Sequence, residues 1–213
     1  MGSPPMVTPK HKVSRVSLTV ASASAFALGI VAVPVAPARA ADTITAADQP
    51  YFAYYHLDQA RAKGYTGQGV TIAMIDGPVD TSRPELAGAT VLDKSPCQIK
   101  PDDDSRSHGT EVASILVARD YGVVPQATLY SYQTVSGSSV PDPSCQDTSV
   151  YTHASLINHA INDGASIVSI SISSQDRAAS LKWALARAAA SGTIVVAGIG
   201  NTANANDEGS LSF

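Results

Sequence analysis

The chain has 213 residues, 44% of them hydrophobic and 15% charged, with a formal net charge of −4. That size and composition fit one globular domain behind a leader. Residues 1–40 contain four of the 14 basic residues and no acidic ones, so the remainder holds 10 basic and 18 acidic residues, a net charge of −8. Such an acidic domain argues against nucleic acid or an anionic membrane surface as a partner.

Residues 1–40 have the pattern of a secretory signal peptide. A basic segment, 10–15, precedes an apolar run that extends from Val16 to about Ala36, and the stretch ends at Ala38-Arg39-Ala40, a small-x-small cleavage site. We therefore predict a secreted, extracellular mature domain at 41–213, with no membrane association after cleavage. The alternative is a membrane anchor, but the fully apolar part, 26–35, is too short to span a bilayer.

The two cysteines of the chain, Cys97 and Cys145, both lie in the predicted mature domain. In an oxidising compartment a pair usually forms a disulfide, which we predict here. The alternative is two independent buried thiols. Two cysteines cannot form a structural zinc site by themselves, and we predict no metal ligands.

The apolar run Val70–Asp76 reads as a strand buried on both faces, as in a parallel sheet. It ends in Asp76, followed by Gly77-Pro78. Open α/β sheets bind ligands at the carboxyl ends of their strands. A carboxylate at that place is therefore a candidate functional group rather than a packing residue.

The stretch from Ser105 to Gly122 predicts an amphipathic helix with His108 in its first turn. Val112, Ile115 and Leu116 mark its inward face, and Gly122 is the expected end. The positive end of the helix dipole disfavours a protonated ring, so His108 is a candidate general base. The alternative is a capping or surface histidine.

The acidic run Asp102-Asp103-Asp104 precedes that helix in a segment, 84–107, that reads as loop. We interpret it as a solvated loop. Calcium is the alternative, but one acidic run does not define a coordination sphere. The sequence therefore predicts no cofactor.

Strands and helices alternate over the rest of the chain, which predicts a parallel sheet with helices on both faces. Asp76, Ser171 and Asn201 all fall at the carboxyl ends of predicted strands. The predicted strands are 127–135, 166–172 and 193–201, and the predicted helices are 152–163 and about 173–191. We expect His153 and His159 on a helix surface and Trp183 in packing.

Four motifs in order resemble the subtilisin-like serine proteases. They are VTIAMIDGPVDTSRPEL around Asp76, SHGTEVAS around His108, GASIVSISIS around Ser171 and ASGTIVVAGIGN ending at Asn201. The segment GYTGQGV before the first strand also matches, and the resemblance covers roughly residues 50–205. It implies a subtilisin-like α/β fold and serine endopeptidase activity on peptides or proteins.

The resemblance also implies a role for each matching residue. Asp76 would orient His108, and His108 would act as general base for a serine nucleophile. The side-chain amide of Asn201 would stabilise the oxyanion. Ser171, Ile172 and Ser173 would pair with the substrate backbone as an added strand. We expect a monomer.

The chain departs from the family pattern at two places of consequence. Gly77-Pro78 follows the aspartate where the family usually has Ser or Thr and then Gly, and Ser173-Ser174 replaces a common glycine pair.

No Gly-Thr-Ser-Met-Ala-like nucleophile motif follows Asn201. We therefore expect a C-terminally incomplete peptidase domain that is inactive by itself. The alternative is a non-catalytic secreted domain that binds peptides on the same fold. An unrelated secreted α/β hydrolase is a weaker alternative, because the Gly-x-Ser-x-Gly elbow is missing.

Overall fold

The computed structural model of the chain describes residues 43–172 and 178–198. Its centre is a five-stranded parallel sheet in the order β2-β4-β1-β6-β7. A second, two-stranded sheet pairs β3 with β5 in antiparallel fashion. The strands are β1 (Thr71–Asp76), β2 (Thr90–Asp93), β3 (Ile99–Lys100), β4 (Thr128–Gln133), β5 (Val140–Pro141), β6 (Ile167–Ile170) and β7 (Ile194–Ala197).

Five α-helices accompany the strands in the described part of the chain. They are α1 (Pro50–Tyr54), α2 (Leu57–Ala62), α3 (Asp103–Val117), α4 (His153–Asn162) and α5 (Ala179–Ser191). The α5 helix ends as predicted at Gly192, whose φ of 75° provides the left-handed C-cap.

Helices cover both faces of the parallel sheet. Ile72 and Met74 of β1 pack in a core cluster with residues of α3, whereas Ala73 and Ile75 pack with residues of α4 and α5. This alternation follows from the period of two along a strand. The predicted fold class, a parallel sheet with helices on both faces, is therefore confirmed.

The helix that carries His108 begins five residues earlier than His108, at Asp103. Asp102 is its N-cap, because the Asp102 carboxylate accepts a hydrogen bond of 2.8 Å from the Ser105 amide. Asp103 and Asp104 lie in the first turn, where negative charge complements the helix dipole. The interpretation of residues 102–104 as a solvated loop was wrong. His108 lies in the second turn, and the effect of the helix dipole falls off within the first turn, so the dipole gives little reason to expect a neutral ring.

The buried face of α3 also differs from the prediction. Its fully buried residues are Ser105, Gly109, Ala113 and Val117, four residues apart. Val112 and Leu116 are partly buried against the core as predicted, whereas Ile115, also expected to point inward, is 43% exposed. The small residues occur where the helix approaches the sheet most closely, and apolar periodicity does not register them.

The α3 helix ends at Val117 rather than at Gly122. The segment that follows is held by the Arg61 side chain, which donates to the carbonyl of Asp120 at 2.7 Å and to that of Gly122. Gly122 packs closely against the backbone of Ala118 and is not a left-handed helix cap.

Three other local expectations were wrong. β2 lies in the segment 84–107 that reads as loop-rich, and it was missed because only Val91 and Leu92 of its four residues are apolar. His153 is buried at the start of α4 instead of lying on its surface. Trp183 is 75% exposed on α5.

Candidate active site

Asp76 is the last residue of the central strand β1, and its side chain is fully buried. The strand has neighbours on both sides, β4 and β6, so the carboxylate emerges at the middle of the sheet edge. The Gly77 amide donates a hydrogen bond of 2.7 Å to Asp76 Oδ1. The next residue, Pro78, has no amide proton to offer.

The imidazole of His108 contacts the same carboxylate oxygen, with Nδ1 2.7 Å from Asp76 Oδ1. The two residues are 32 positions apart and meet because α3 packs directly on the backbone after β1. A Cβ on Gly109 would overlap the carbonyl of Gly77, and a Cβ on Gly77 would overlap the carbonyl of Ser105. Only glycine at both positions permits this approach.

A further bond fixes the same helix turn to the chain after β1. The Thr110 hydroxyl accepts a hydrogen bond of 3.0 Å from the Asp80 amide. Together with the glycine contacts, it sets the height of α3 along the sheet edge and therefore the position of the imidazole.

Burial raises the pKa of the Asp76 carboxyl, and the hydrogen bonds from His108 and Gly77 offset part of that effect. The second oxygen, Oδ2, is buried and has no hydrogen-bond partner among the described residues. Neither Gly77 nor Pro78 offers a hydroxyl, and Pro78 offers no N–H, so neither residue supplies a donor to this oxygen.

The two side chains of the Asp76–His108 pair differ sharply in solvent exposure. The Asp76 side chain is 1% exposed and that of His108 is 45% exposed. An ionised carboxylate can only accept hydrogen bonds, so it selects the imidazole tautomer that carries its proton on Nδ1. Nε2 then keeps a lone pair, and the arrangement can take a proton from a group outside the core.

A groove of about 350 Å³ begins at His108. One side is formed by α3 residues including Ser105, and another by the loop 136–138 that follows β4. Ser171 and Ile172, which leave the end of β6, also line it. The groove thus joins the candidate base to two of the three residues predicted to bind the substrate backbone.

Cys97 and Cys145 form a disulfide, with their Cα atoms 6.0 Å apart. The bridge connects the segment before α3 with the segment after β5. Beside it, Ile99, Cys145 and Tyr151 form a small buried cluster of their own. The bridged segments therefore make a compact layer beside the groove.

Two predicted site residues, Ser173 and Asn201, lie outside the described residues, and their roles stay predictions. Within residues 43–172 and 178–198, no group of three or more His, Cys, Asp or Glu side chains could hold a metal ion. No helix in the same ranges is long and apolar enough to cross a membrane.

Sequence reasoning did not assign a role to Asp102 or to the loop 136–139. The Asp102 carboxylate bonds to both α3 and this loop. A signal for the first contact was present, because aspartate followed by two acidic residues marks a helix N-terminus. The second contact depends on a loop distant in sequence and gave no signal.

The sequence profile described as the Subtilase family matches residues 67–213. This match includes Asp76 and His108 and covers more than half of the chain. The chain belongs to the subtilase family.

Individual subtilases give the same result. Subtilisin E of Bacillus subtilis (strain 168) is 28% identical over an alignment of 175 positions, which covers 75% of this chain and 42% of that protein. Subtilisin Savinase of Lederbergia lenta is 30% identical over an alignment of 162 positions, which covers 72% of this chain and 54% of that protein. The chain therefore spans about half the length of these relatives.

Two solved structures share the fold. MycP1 from Mycobacterium smegmatis superposes with a TM-score of 0.55 at 26% identity, covering 77% of this chain and 48% of the other. The S218A mutant of the protease domain of PatA superposes with a TM-score of 0.54 at 25% identity, covering 64% and 52%.

Proposed function

We propose that this chain forms the Asp-His part of a secreted serine endopeptidase. Asp76 orients the imidazole, His108 is the general base, and a serine supplies the nucleophile. The observation that carries the proposal is the 2.7 Å contact between a buried carboxylate and a half-exposed imidazole, at residues that match the family motifs. No serine nucleophile is identified among the described residues, so we propose hydrolysis for the protein as its gene encodes it.

In the proposed reaction, His108 Nε2 removes the proton of the serine hydroxyl while the serine oxygen attacks the scissile carbonyl carbon. The imidazolium that forms is stabilised by Asp76, which remains ionised. His108 then gives the proton to the departing amine, and a water molecule hydrolyses the acyl-enzyme by the same proton route.

Two further roles complete the proposal. The side-chain amide of Asn201 donates to the oxyanion of the tetrahedral intermediate. Residues 171–173 pair with the substrate backbone as an added strand. The groove supports the second role, because Ser171 and Ile172 line it beside His108. We further propose that the protein is monomeric and exported after removal of residues 1–40.

The test is hydrolysis of fluorescein-labelled casein by the gene-encoded protein, including any sequence that follows Phe213. We expect turnover that a serine-directed phosphonate blocks. His108→Ala should lower turnover on the order of 10⁶-fold. His159→Ala is the matched control, because it removes a histidine from α4 and should leave turnover unchanged.

The outcomes separate the proposal from its rival. Turnover that survives in the His108→Ala variant would refute the assignment of the base. A wild-type protein that binds peptides but cleaves none would favour the non-catalytic peptide-binding domain.

A further inference from the structure

The loop 136–139, which follows β4, is fixed to the N-terminus of α3 through one side chain. The Ser138 amide donates a hydrogen bond of 2.8 Å to Asp102 Oδ2. The Ser139 hydroxyl lies 3.4 Å from Asp102 Oδ1 and 3.4 Å from the Asp102 amide. Asp102 therefore holds the loop with its carboxylate and its backbone.

The same carboxylate also caps the helix. Asp102 Oδ1 accepts from the Ser105 amide at 2.8 Å, while Oδ2 accepts from Ser138. These hydrogen bonds lower the pKa of Asp102, so both oxygens accept as an ionised carboxylate. Oδ1 mainly caps the helix and Oδ2 binds the loop, so a substitution can keep the cap and remove the loop contact.

The loop reaches Asp102 because of a tight turn at Gly137. Its φ is 59°, in the left-handed region, and a Cβ there would lie 3.1 Å from Asp102 Oδ2. Glycine therefore permits both the turn and the close approach.

The loop belongs to a lobe, which we define as residues 97–100 and 136–145. The β3–β5 pairing and the Cys97–Cys145 disulfide join the two segments. The Tyr151 hydroxyl also donates to the carbonyl of Gln98 at 2.6 Å. Because the lobe is internally fixed, the contact between Asp102 and the loop holds the whole lobe rather than a single loop residue.

The lobe forms part of the groove that His108 lines. Residues 136–138 of the lobe line the groove together with His108 and other residues of α3. The position of α3 relative to the sheet is set by the glycine contacts after β1. The contact between Asp102 and the lobe therefore sets the separation between residues 136–138 and His108.

We propose that Asp102 is a positioning residue for substrate binding. It holds residues 136–138 at the distance from α3 that gives the groove the width a peptide chain requires. The proposal rests on the proposed peptidase function. Asp102 acts through the lobe and not on the reacting atoms. Its loss should therefore weaken the binding of peptide while the Asp76–His108 pair stays intact.

The test uses Asp102→Ser in the gene-encoded protein. Serine is as good an N-cap as aspartate, but its single short hydroxyl cannot serve the Ser105 and Ser138 amides together. Asp103→Ser is the matched control, since it removes the same charge from the next position and Asp103 has no contact with the loop among the described residues. Asp102→Ala removes the cap and the loop contact together.

Three measurements are made on each variant. Hydrogen exchange reports the protection of the Ser138 amide, hydrolysis of succinyl-Ala-Ala-Pro-Phe p-nitroanilide gives KM and kcat, and thermal unfolding gives Tm. For Asp102→Ser we expect lost protection at Ser138, a KM raised about tenfold and kcat within about twofold. Asp102→Ala should raise KM as much as Asp102→Ser does and should also lower Tm. Asp103→Ser should change neither KM nor Tm.

An unchanged KM in Asp102→Ser, or an equal rise in Asp103→Ser, would overturn the inference and leave the proposed function standing. A rise in KM that occurs only in Asp102→Ala would mean that Asp102 acts only as a helix cap. If the wild-type protein hydrolyses nothing, the proposed function fails and the substrate-binding part of the inference fails with it. Protection of Ser138 decides the loop contact in either case.

Discussion

α3 and α4 lie on opposite faces of the same sheet, and different kinds of contact hold them there. α4 buries the large apolar side chains of Leu156 and Ile157. At its end nearest the site, α3 buries Ser105 and Gly109 against the backbone that follows β1. Residues of α3 also join the apolar core farther along the helix, but at the site α3 is positioned by backbone contact, whereas α4 is positioned by side-chain volume.

The difference matters because only α3 carries a residue that must meet a partner at hydrogen-bond distance. Side-chain packing tolerates small shifts, since a helix can readjust when a core side chain changes. A contact between backbone atoms cannot readjust in this way. The 2.7 Å distance from His108 to Asp76 therefore depends on the absence of side chains at Gly77 and Gly109.

Among the changes that test this comparison, the largest expected effect comes from breaking the bond that the α3 contact creates. Asp76→Asn should lower kcat on the order of 10⁴-fold in the gene-encoded protein, because an amide can stabilise the wrong imidazole tautomer. Steady-state hydrolysis of the p-nitroanilide peptide measures the effect. A kcat close to that of the wild type would show that Asp76 does not orient the base.

Gly109→Ala tests the backbone contact itself. The added methyl group must displace α3 from the Gly77 carbonyl, and a displacement near 1 Å costs about 10²-fold in rate. We expect that loss in kcat. A variant with full activity would mean that the helix can shift without moving His108.

Leu156→Ala is the corresponding change on α4. Removing this fully buried side chain should lower the free energy of unfolding by about 2–5 kcal/mol. Because α4 carries no proposed catalytic residue, kcat should stay unchanged below the unfolding temperature. Urea unfolding and steady-state kinetics measure the two quantities. A fall in kcat similar to that of Gly109→Ala would remove the distinction between the two helices.

The smallest effect concerns the pH dependence of stability. Because the pKa of Asp76 is raised above its ordinary value of 3.8, the native state keeps this proton to a higher pH than the unfolded chain does. The stability that Asp76 contributes is therefore present below pH 3.8 and is lost as pH rises through the raised pKa. The slope within this window is at most about 1.4 kcal/mol per pH unit.

Urea unfolding of the wild type and Asp76→Asn from pH 3.5 to 7 isolates this contribution. Subtracting the variant removes the opposite trend of the aspartates whose pKa is lowered by hydrogen bonds. Those residues are Asp48, Asp80, Asp102, Asp142 and Asp147. The wild-type free energy of unfolding should fall relative to that of the variant as pH rises. A relative rise would mean that the bonds from His108 and Gly77 outweigh burial.

The central part of the fold could be predicted because its strands are apolar on both faces. β1, β4, β6 and β7 all lie within the apolar runs of the sequence. β2 could not be found in this way, because only two of its four residues, Val91 and Leu92, are apolar. β7 also lies at an edge of the described sheet, but all four of its residues are apolar and give the pattern of a strand.

At the site, Asp76 and His108 could be identified from their motifs, but their contact could not be derived from the sequence alone. It depends on which residues of α3 face the sheet, and the apolar pattern pointed to Ile115 rather than to Gly109. The glycine carries the contact because it is small, a property that hydrophobic periodicity does not measure.

The most direct test of the account is the tautomer of His108 in the 213-residue chain itself. With ¹⁵N-labelled histidine, NMR at a pH where the ring is neutral distinguishes a protonated Nδ1 from a protonated Nε2. The account predicts a proton on Nδ1 in the wild type, where it bonds to Asp76, and a shift toward Nε2 in Asp76→Asn. A proton on Nε2 in the wild type, or the same tautomer in both proteins, would contradict it.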